Sequence, residues 1–265
     1  MHSDVIVPLV TPLDETGAVS ERSVARLIES LHGNVTAFMP ALSSGEGWAL
    51  TEQQWHHMVS ATRAHAGGRP VLAGIQLPDT TAVIDRAAVA AALGAEAIVV
   101  TTPFGSGVTQ EEIYRHYAEI SAAVRLPLFV YNEAALSGNH IDLGTLVRIC
   151  RLPGVVGIKE SSGSPELTRR IVDAVPWVPV FEGWEHLLLE AREVAGFIGP
   201  LANLEPRLCQ DMLDDPTAPR QADINETCAR YGLLTDDWYR PLKRELARRG
   251  VLATDRTVAT QEVTP

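Results

Sequence analysis

Short apolar runs alternate with longer amphipathic stretches along most of the chain, and this alternation is the strongest constraint on its fold. Eight runs have the composition of buried strands: VIVPLV (5–10), TAFMPA (36–41), PVLAGI (70–75), EAIVVT (96–101), LPLFVY (126–131), VVGIKE (155–160), VPVFEG (178–183) and GFIGPL (196–201). Helical patterns separate them, near 20–31, 51–65, 80–93, 109–124, 142–150, 166–174 and 184–194. Near-continuous apolar strands followed by helices are typical of a parallel sheet covered by helices. Eight such units in about 210 residues favour an α/β fold of the (β/α)8 TIM barrel type over an open doubly wound sheet.

The strand pattern stops near residue 205. We therefore predict a barrel domain over residues 1–205 and a C-terminal helical extension over 206–265 that packs on the barrel. Two helix starts are marked by sequence, because Thr51 with Gln54 and Thr109 with Glu112 have the spacing of capping boxes. The last residues, 254–265, are predicted to form a loose end.

Composition narrows the classes of partner. The formal net charge of −11 and the lack of a basic cluster argue against nucleic acid or an anionic membrane as the main partner. No apolar run reaches the roughly 18 residues that a membrane span needs, and the N-terminus lacks the pattern of a signal peptide. Cys150, Cys209 and Cys228 are widely spaced and odd in number, which indicates reduced thiols in a cytoplasmic protein. We expect small-molecule substrates.

Lys159 is the most informative single residue. Of the 22 basic residues only two are lysines, Lys159 and Lys243, so lysine is nearly excluded elsewhere. Strand alternation places Lys159 at the carboxyl end of the sixth strand on the inward face, beside Tyr131 at the end of the fifth. Barrel active sites lie at this end, where a desolvated amine can form a Schiff base with a carbonyl substrate. A solvated lysine, or one paired with Glu160, is the structural alternative.

Longer motifs carry a family resemblance over essentially the whole chain. They are VPLVTPLDETGAVS (7–20), LSSGEGWALTEQQW (42–55), TTPFGSGVTQEEIYRHY (101–117), LPLFVYNEAALSG (126–138), GVVGIKESSG (154–163) and GFIGPLANLEP (196–206). The sequence resembles the dihydrodipicolinate synthase and N-acetylneuraminate lyase family of class I, pyruvate-handling barrels. The resemblance implies that Lys159 forms an imine with pyruvate, that Tyr131 transfers protons and that Ser43 links to Tyr131 as a relay. It also implies that Ser44 binds the pyruvate carboxylate.

The predicted substrate-binding residues, from the resemblance and from strand positions, are Ser44, Gly45, Phe104, Glu133, Leu136 and Ile198. Glu46 is interpreted as a structural hydrogen-bonding residue. Trp48 and Trp184, with Phe104 and Leu136, are candidates for a weakly polar acceptor pocket. Glu133 or Glu182 is a candidate for recognising a cationic or hydroxylated substrate.

Two positions depart from the family's synthase pattern. Gly105 stands where synthases place a second tyrosine of the relay, and Leu136 stands where they carry an arginine for the carboxylate of aspartate semialdehyde. These departures favour a Schiff-base aldolase/lyase that joins or separates pyruvate and an aldehyde. We expect no metal or other cofactor, and a homo-oligomer, tetrameric or dimeric.

Three other functions are compatible with the same sequence. One is 4-hydroxy-tetrahydrodipicolinate synthase, and another is a 2-oxo-acid dehydratase or hydratase-aldolase. A catalytically inactive sensor or scaffold is a third. A metal-dependent aldolase is disfavoured, because the adjacent His56 and His57 do not have the i, i+4 spacing of zinc ligands on a helix.

Overall fold

Eight parallel strands form the centre of the computed structural model, which describes residues 4–31, 33 and 35–258. They are β1 (Asp4–Val7), β2 (Ala37–Phe38), β3 (Leu72–Ile75), β4 (Ala97–Thr101), β5 (Leu128–Asn132), β6 (Val155–Glu160), β7 (Val180–Glu182) and β8 (Gly196–Phe197). Their order is β2-β1-β8-β7-β6-β5-β4-β3. A parallel bridge between Phe38 and Val71 brings the two ends of this order together. The predicted (β/α)8 barrel is confirmed.

Helices follow the strands at the predicted places. They are α1 (Glu21–Ser30), α2 (Glu52–His65), α3 (Thr80–Ala92), α4 (Gln110–Ala123), α5 (Ala134–Ser137), α6 (Leu143–Ile149), α7 (Pro165–Ala174) and α8 (Leu188–Ala191), then α9 (Pro206–Asp214), α10 (Ala218–Tyr231) and α11 (Tyr239–Arg248). Both predicted capping boxes form, at Thr51 and at Thr109. The stretch predicted as one helix over 184–194 is shorter: a 3-10 turn, Glu185–Leu187, leads into α8. The helix stops there because Arg192 and Glu193 have positive φ angles of 46° and 54°.

Alternate strand residues separate two layers of core. Inward residues such as Val99, Phe129 and Phe181 fill the barrel, whereas outward residues such as Val100 and Ile158 pack under the helices. The rings of Phe129 and Phe181 lie 5.8 Å apart between centroids. A Cβ on Gly157 would stand 2.3 Å from the Phe129 ring, so a side chain at this inward position of β6 would displace that ring. Lys159 is the next inward residue along β6 and therefore lies one layer above this aromatic floor.

The C-terminal helices pack against the barrel, and the chain stays ordered beyond them. The Thr254 hydroxyl donates to the Leu13 carbonyl oxygen at 2.8 Å, and Val258 is buried. The prediction of a loose end over 254–265 is therefore wrong for 254–258, because this segment adds hydrogen bonds and apolar burial to the barrel. Residues 259–265 lie outside the described residues.

Two expectations from composition can be compared with the structure. Cys150, Cys209 and Cys228 are all buried and free of disulfides. In the ranges that the structure describes, none of the helices combines the length and apolarity that a bilayer crossing requires.

Candidate active site

Lys159 and Tyr131 lie side by side at the carboxyl end of the barrel. They are partners in the parallel register of β5 and β6, and each side chain is only 3% exposed. Lys159 Nζ stands 4.3 Å from the centroid of the Tyr131 ring. The strand alternation that predicted this juxtaposition is what produces it, because both residues have the inward parity of Phe129 and Gly157.

Burial changes the acid–base behaviour of Lys159. Desolvation lowers the pKa of its amine from 10.5 to about 7, against the opposing influence of carboxylates, of which Glu133 is the largest. The alternative pairing with Glu160 does not form. Glu160 instead accepts hydrogen bonds from Asn132 Nδ2 and the Ser162 N–H, each at 2.7 Å. A large fraction of the Lys159 amine is thus neutral, and nucleophilic, near neutral pH.

A short hydrogen-bond chain leads away from Tyr131. Its hydroxyl lies 3.3 Å from Ser43 Oγ, and Gln76 Nε2 donates to the same Ser43 Oγ at 2.9 Å. Burial raises the pKa of the Tyr131 phenol, so the group is held as a protonated hydroxyl. Because Gln76 occupies an acceptor site on Ser43, it biases the Ser43 hydroxyl proton toward Tyr131.

Gln76 was missed by sequence reasoning. It follows β3 directly and has the inward parity of Leu72 and Gly74, so a polar residue after an apolar run was the available signal. It is 3% exposed, and its Oε1 has no hydrogen-bond partner within the described part of the chain. The hydrogen-bond chain from the Tyr131 hydroxyl through the Ser43 hydroxyl thus ends at the side-chain amide of Gln76.

The loop after β2 brings the two serines to the site. Ser43–Gly45 forms a 3-10 turn, and Ser43 and Ser44 line a cavity at the barrel mouth. Gly45, predicted to bind substrate, packs against the barrel instead: its carbonyl oxygen accepts from Thr11 Oγ1 at 2.7 Å, and a Cβ on it would stand 2.8 Å from the Leu9 carbonyl oxygen. Its small size is needed for the close approach of two backbones.

Glu46 and Lys243 form a fully buried ion pair just behind this loop. Lys243 Nζ donates to Glu46 Oε1 and to the Arg256 carbonyl oxygen, both at 2.7 Å. Glu46 Oε2 accepts the Val258 N–H at 2.6 Å. The structural interpretation of Glu46 is confirmed. The second lysine of the chain is explained as well, since its amine anchors the C-terminal extension to the serine loop.

The cavity at the barrel mouth has a volume of about 310 Å³. Six residues predicted for the site line it, and these are Ser43, Ser44, Tyr131, Glu133, Leu136 and Lys159. Trp48 and Trp184 also lie on its wall, as expected. Phe104 and Ile198 are not among the described residues that line it. Phe104 is half-buried in the loop after β4, and Ile198 is buried among the inward side chains of the barrel, with Met39 and Phe181.

The two carboxylate oxygens of Glu133 differ in their hydrogen bonding within the described residues. Its Oε1 accepts the Leu136 N–H at 2.9 Å and so caps α5, the one-turn helix that carries Leu136. Its Oε2 is buried and has no hydrogen-bond partner among residues 4–31, 33 and 35–258. Gly105 lies in an exposed loop with φ of 125°, a conformation that favours glycine over any residue with a side chain.

Glu182 has a different role from the one suggested for it. Its Oε1 accepts the N–H groups of Gly183 and Trp184, both at 3.0 Å, and its Oε2 accepts from Thr168 Oγ1 at 3.0 Å. It has the outward parity of Val180 and is not on the cavity wall described above. Glu182 therefore holds the loop that carries Trp184 and does not line the described cavity.

The C-terminal extension contributes a wall that the sequence did not reveal. Asp236, Trp238 and Tyr239, at the start of α11 and just before it, line the cavity. Tyr239 is buried, with 9% of its surface exposed, whereas Asp236 is exposed to solvent at the rim. Across the described ranges there is no group of three or more histidine, cysteine or acidic side chains placed to hold a metal ion.

Comparison with known proteins settles the family. A model of the dihydrodipicolinate synthetase family matches residues 1–259. The chain belongs to this family. It is 32% identical over 239 residues to 4-hydroxy-tetrahydrodipicolinate synthase of Methylococcus capsulatus. The aligned region covers 88% of this chain and 82% of the relative.

Solved structures agree with this assignment. A pyruvate complex of the chloride-inhibited dihydrodipicolinate synthase of Acinetobacter baumannii superimposes with a TM-score of 0.88 at 25% identity, covering 100% of this chain and 94% of that one. The dihydrodipicolinate synthase of Bacteroides thetaiotaomicron gives a TM-score of 0.88 at 26% identity, over 98% and 92% of the two chains. The predicted family, and its class as a pyruvate-dependent class I aldolase/lyase, are confirmed.

Proposed function

We propose that this enzyme joins pyruvate to an aldehyde, or cleaves the corresponding 4-hydroxy-2-oxo acid, through an imine on Lys159. The observation that carries the proposal is the buried amine of Lys159, with a pKa of about 7, lying 4.3 Å from the ring centre of Tyr131. A lysine with an ordinary pKa would be protonated at neutral pH and unable to attack a ketone.

The reaction follows from these groups. The neutral Lys159 amine attacks the ketone carbon of pyruvate. One amine proton and the hydroxyl proton of Tyr131 pass to the ketone oxygen, which leaves as water. The protonated imine withdraws electrons, so the methyl group loses a proton with Tyr131 as the proton-transfer group, and an enamine forms. The enamine carbon bonds to the aldehyde carbon, the aldehyde oxygen takes up a proton, and water then releases the product from Lys159.

Ser43 and Ser44 support the pyruvate half of the site. Ser43 connects to the Tyr131 hydroxyl at 3.3 Å and forms the relay, while the Ser44 hydroxyl on the cavity wall is assigned to the pyruvate carboxylate. Gln76 acts as a positioning residue, because it touches Ser43 and not the reacting atoms. No cofactor is required in this scheme, since the imine itself serves as the electron sink.

The synthase reaction is the second candidate, favoured by the named function of the relative from Methylococcus capsulatus. Two residues disfavour it here. Leu136 lines the cavity in the place assigned to the substrate-binding arginine, and Gly105 has no hydroxyl to offer a relay. A carboxylated aldehyde would therefore lose a charge-assisted hydrogen bond, which typically contributes about 1.5–3 kcal/mol.

The cell compartment and assembly are part of the proposal. Three unpaired, buried cysteines support a reducing compartment, and we place the enzyme in the cytoplasm. The family resemblance supports a homotetramer built as a dimer of dimers. Analytical ultracentrifugation tests the assembly, and a monomer at micromolar concentration would contradict it.

Covalent trapping tests the central proposal. Incubation with pyruvate and borohydride should add one reduced pyruvyl group to the peptide that contains Lys159, and Lys159→Arg should abolish the adduct. Lys243 is an internal control, because its amine is bonded to Glu46 and to the Arg256 carbonyl oxygen. An unmodified protein at saturating pyruvate, or an adduct on Lys243 alone, would overturn the proposal.

A further inference from the structure

Four aromatic side chains line the cavity at the barrel mouth and pack against one another in a row. Trp48 packs edge-on against Tyr239 at 5.7 Å between centroids, Tyr239 against Trp238 at 6.2 Å, and Trp238 against Trp184 at 6.2 Å. All four side chains line the cavity, together with Leu136. They form a continuous row of rings, which we call the aromatic wall.

Three separate segments of the chain contribute residues to the aromatic wall. Trp48 follows the serine loop, Trp184 follows β7, and Trp238 and Tyr239 are the N-cap and the first residue of α11. The Trp184 indole N–H donates to the Ser161 carbonyl oxygen at 3.0 Å, which holds its ring in place. A wall made of mutually packed rings is preorganised for a flat apolar ligand, and aromatic pairs favour such edge-to-face and offset contacts.

The charges around the cavity select against an anionic acceptor. Lys159 is the only basic side chain on the cavity wall within the described ranges, and once it carries pyruvate its charge is matched by the pyruvate carboxylate. Glu133 then remains as a buried carboxylate with no second basic side chain on the described cavity wall. Leu136 offers a carboxylated aldehyde no counter-charge.

The same distribution argues against a cationic acceptor. Glu133 lies at the Lys159 end, where it acts on both the lysine and the Tyr131 hydroxyl, and Asp236 is exposed at the rim, where solvent screens its charge. The aromatic wall itself contributes no carboxylate to the described cavity lining. The cavity of about 310 Å³ is at the small end of ligand sites, which cover roughly 300–1,000 Å³, so it suits pyruvate plus a single ring.

We propose that the acceptor is a small, neutral aromatic aldehyde whose ring lies on the aromatic wall, with the unpartnered Oε2 of Glu133 accepting a hydrogen bond from the hydroxyl formed at the new carbon–carbon bond. This inference rests on the proposed function, because it concerns the second substrate of the same site. The hydroxyl replaces the aldehyde oxygen next to Lys159, which is the end of the cavity where Glu133 lies.

A panel of four aldehydes tests the class of acceptor. Purified enzyme receives pyruvate with benzaldehyde, glyceraldehyde, 3-aminopropanal or aspartate semialdehyde, and the 4-hydroxy-2-oxo acid is measured by chromatography and mass spectrometry. We expect kcat/KM to be at least about tenfold higher for benzaldehyde than for each of the others. Equal or higher values for the polyhydroxylated, cationic or anionic aldehyde would overturn the inference.

Pyruvate trapping on Lys159 is measured in the same preparations, because it separates the two proposals. An enzyme that traps pyruvate but does not favour benzaldehyde retains the proposed function and refutes the acceptor class. An enzyme that fails to trap pyruvate refutes the proposed function itself.

Variants of the wall give a second readout. Two rates are compared in each variant: kcat/KM for benzaldehyde and the rate of pyruvate trapping on Lys159. Trp238→Leu should lower the ratio of the first to the second by about tenfold, because the ring contact is lost. Trp177→Leu is the matched control, since Trp177 is 52% exposed and lies off the cavity wall, and it should leave both rates unchanged. A Trp238→Leu variant with an unchanged ratio would contradict the role of the wall.

Charge variants test the selection against anions. Leu136→Arg should narrow the preference for benzaldehyde over aspartate semialdehyde by about 10–150-fold, since it restores a cation for the carboxylate. Glu133→Gln should narrow the same ratio, because it removes the nearest like charge while its amide oxygen can still cap α5. Unchanged ratios in both variants would show that charge does not select the acceptor.

Discussion

The pH dependence of imine formation tests how burial activates Lys159. An ordinary lysine is neutral in only about 1 molecule in 3,000 at pH 7, whereas a lysine with a pKa near 7 is about half neutral, a gain of roughly 10³ in reactive amine. The rate of trapping at low pyruvate should therefore rise about tenfold per pH unit below pH 7 and level off above it. Rapid quenching with borohydride, followed by peptide mass spectrometry between pH 5 and pH 9, measures this profile.

Glu133→Gln perturbs the profile in a defined direction. Glu133 is the largest of the carboxylate influences that raise the pKa of Lys159, so its removal should move the midpoint to lower pH. A neighbouring charge changes a pKa by about 1–3 units, and we expect about one unit here because burial, the main cause of the low pKa of Lys159, is unchanged. Glu119→Gln, on the exposed face of α4, should leave the midpoint in place. A wild-type rate that still rises tenfold between pH 8 and pH 9, or a Glu133→Gln midpoint at higher pH, would refute the reasoning.

Four further measurements examine the rest of the site. Tyr131→Phe should lower kcat by about 10²–10⁴-fold in steady-state assays, and Ser43→Ala should lower it less, because water can replace a relay hydroxyl; turnover of Tyr131→Phe within a few-fold of wild type would contradict its role. Gln76→Leu combined with Ser43→Ala should lose no more activity than Ser43→Ala alone, since Gln76 acts through Ser43, and additive losses would refute that. Lys243→Met should lower the free energy of unfolding in urea by about 3–5 kcal/mol, because it leaves Glu46 buried without its partner, and an unchanged urea midpoint would contradict this. EDTA should leave turnover unchanged, and activity that disappears on chelation and returns with zinc would favour a metal-dependent aldolase.

The sequence predicted the parts of the site that depend on strand periodicity. Apolar runs located the eight strands, and the two-residue period placed Lys159 inward, directly beside Tyr131 in the observed register. The same period could have corrected one suggestion: Glu182 shares the parity of the outward Val180, while Phe181 points into the barrel. Local periodicity is sufficient here because a strand end fixes both the position and the direction of its side chain.

Other features depend on tertiary contacts that no local pattern encodes. Lys243 belongs to a strongly charged helix and would ordinarily be interpreted as solvated, yet its ammonium is fully buried because Glu46 lies opposite it. Trp238 and Tyr239 follow a polar stretch with no repeat or motif, so their arrival at the cavity was not visible in sequence. Gly45 was assigned to substrate because of its motif, whereas the close approach of the Leu9 backbone decides its position.

One helix links both halves of the site. Tyr239 and Lys243 are four residues apart on α11, a spacing that places them on the same face of the helix. The first packs against Trp48 on the aromatic wall, and the second holds Glu46 behind the serine loop. The wall for the acceptor and the loop for pyruvate are therefore positioned by the same helix face. Residues just before that face, such as Trp238, can change the acceptor pocket while the Glu46–Lys243 pair keeps the serine loop in place.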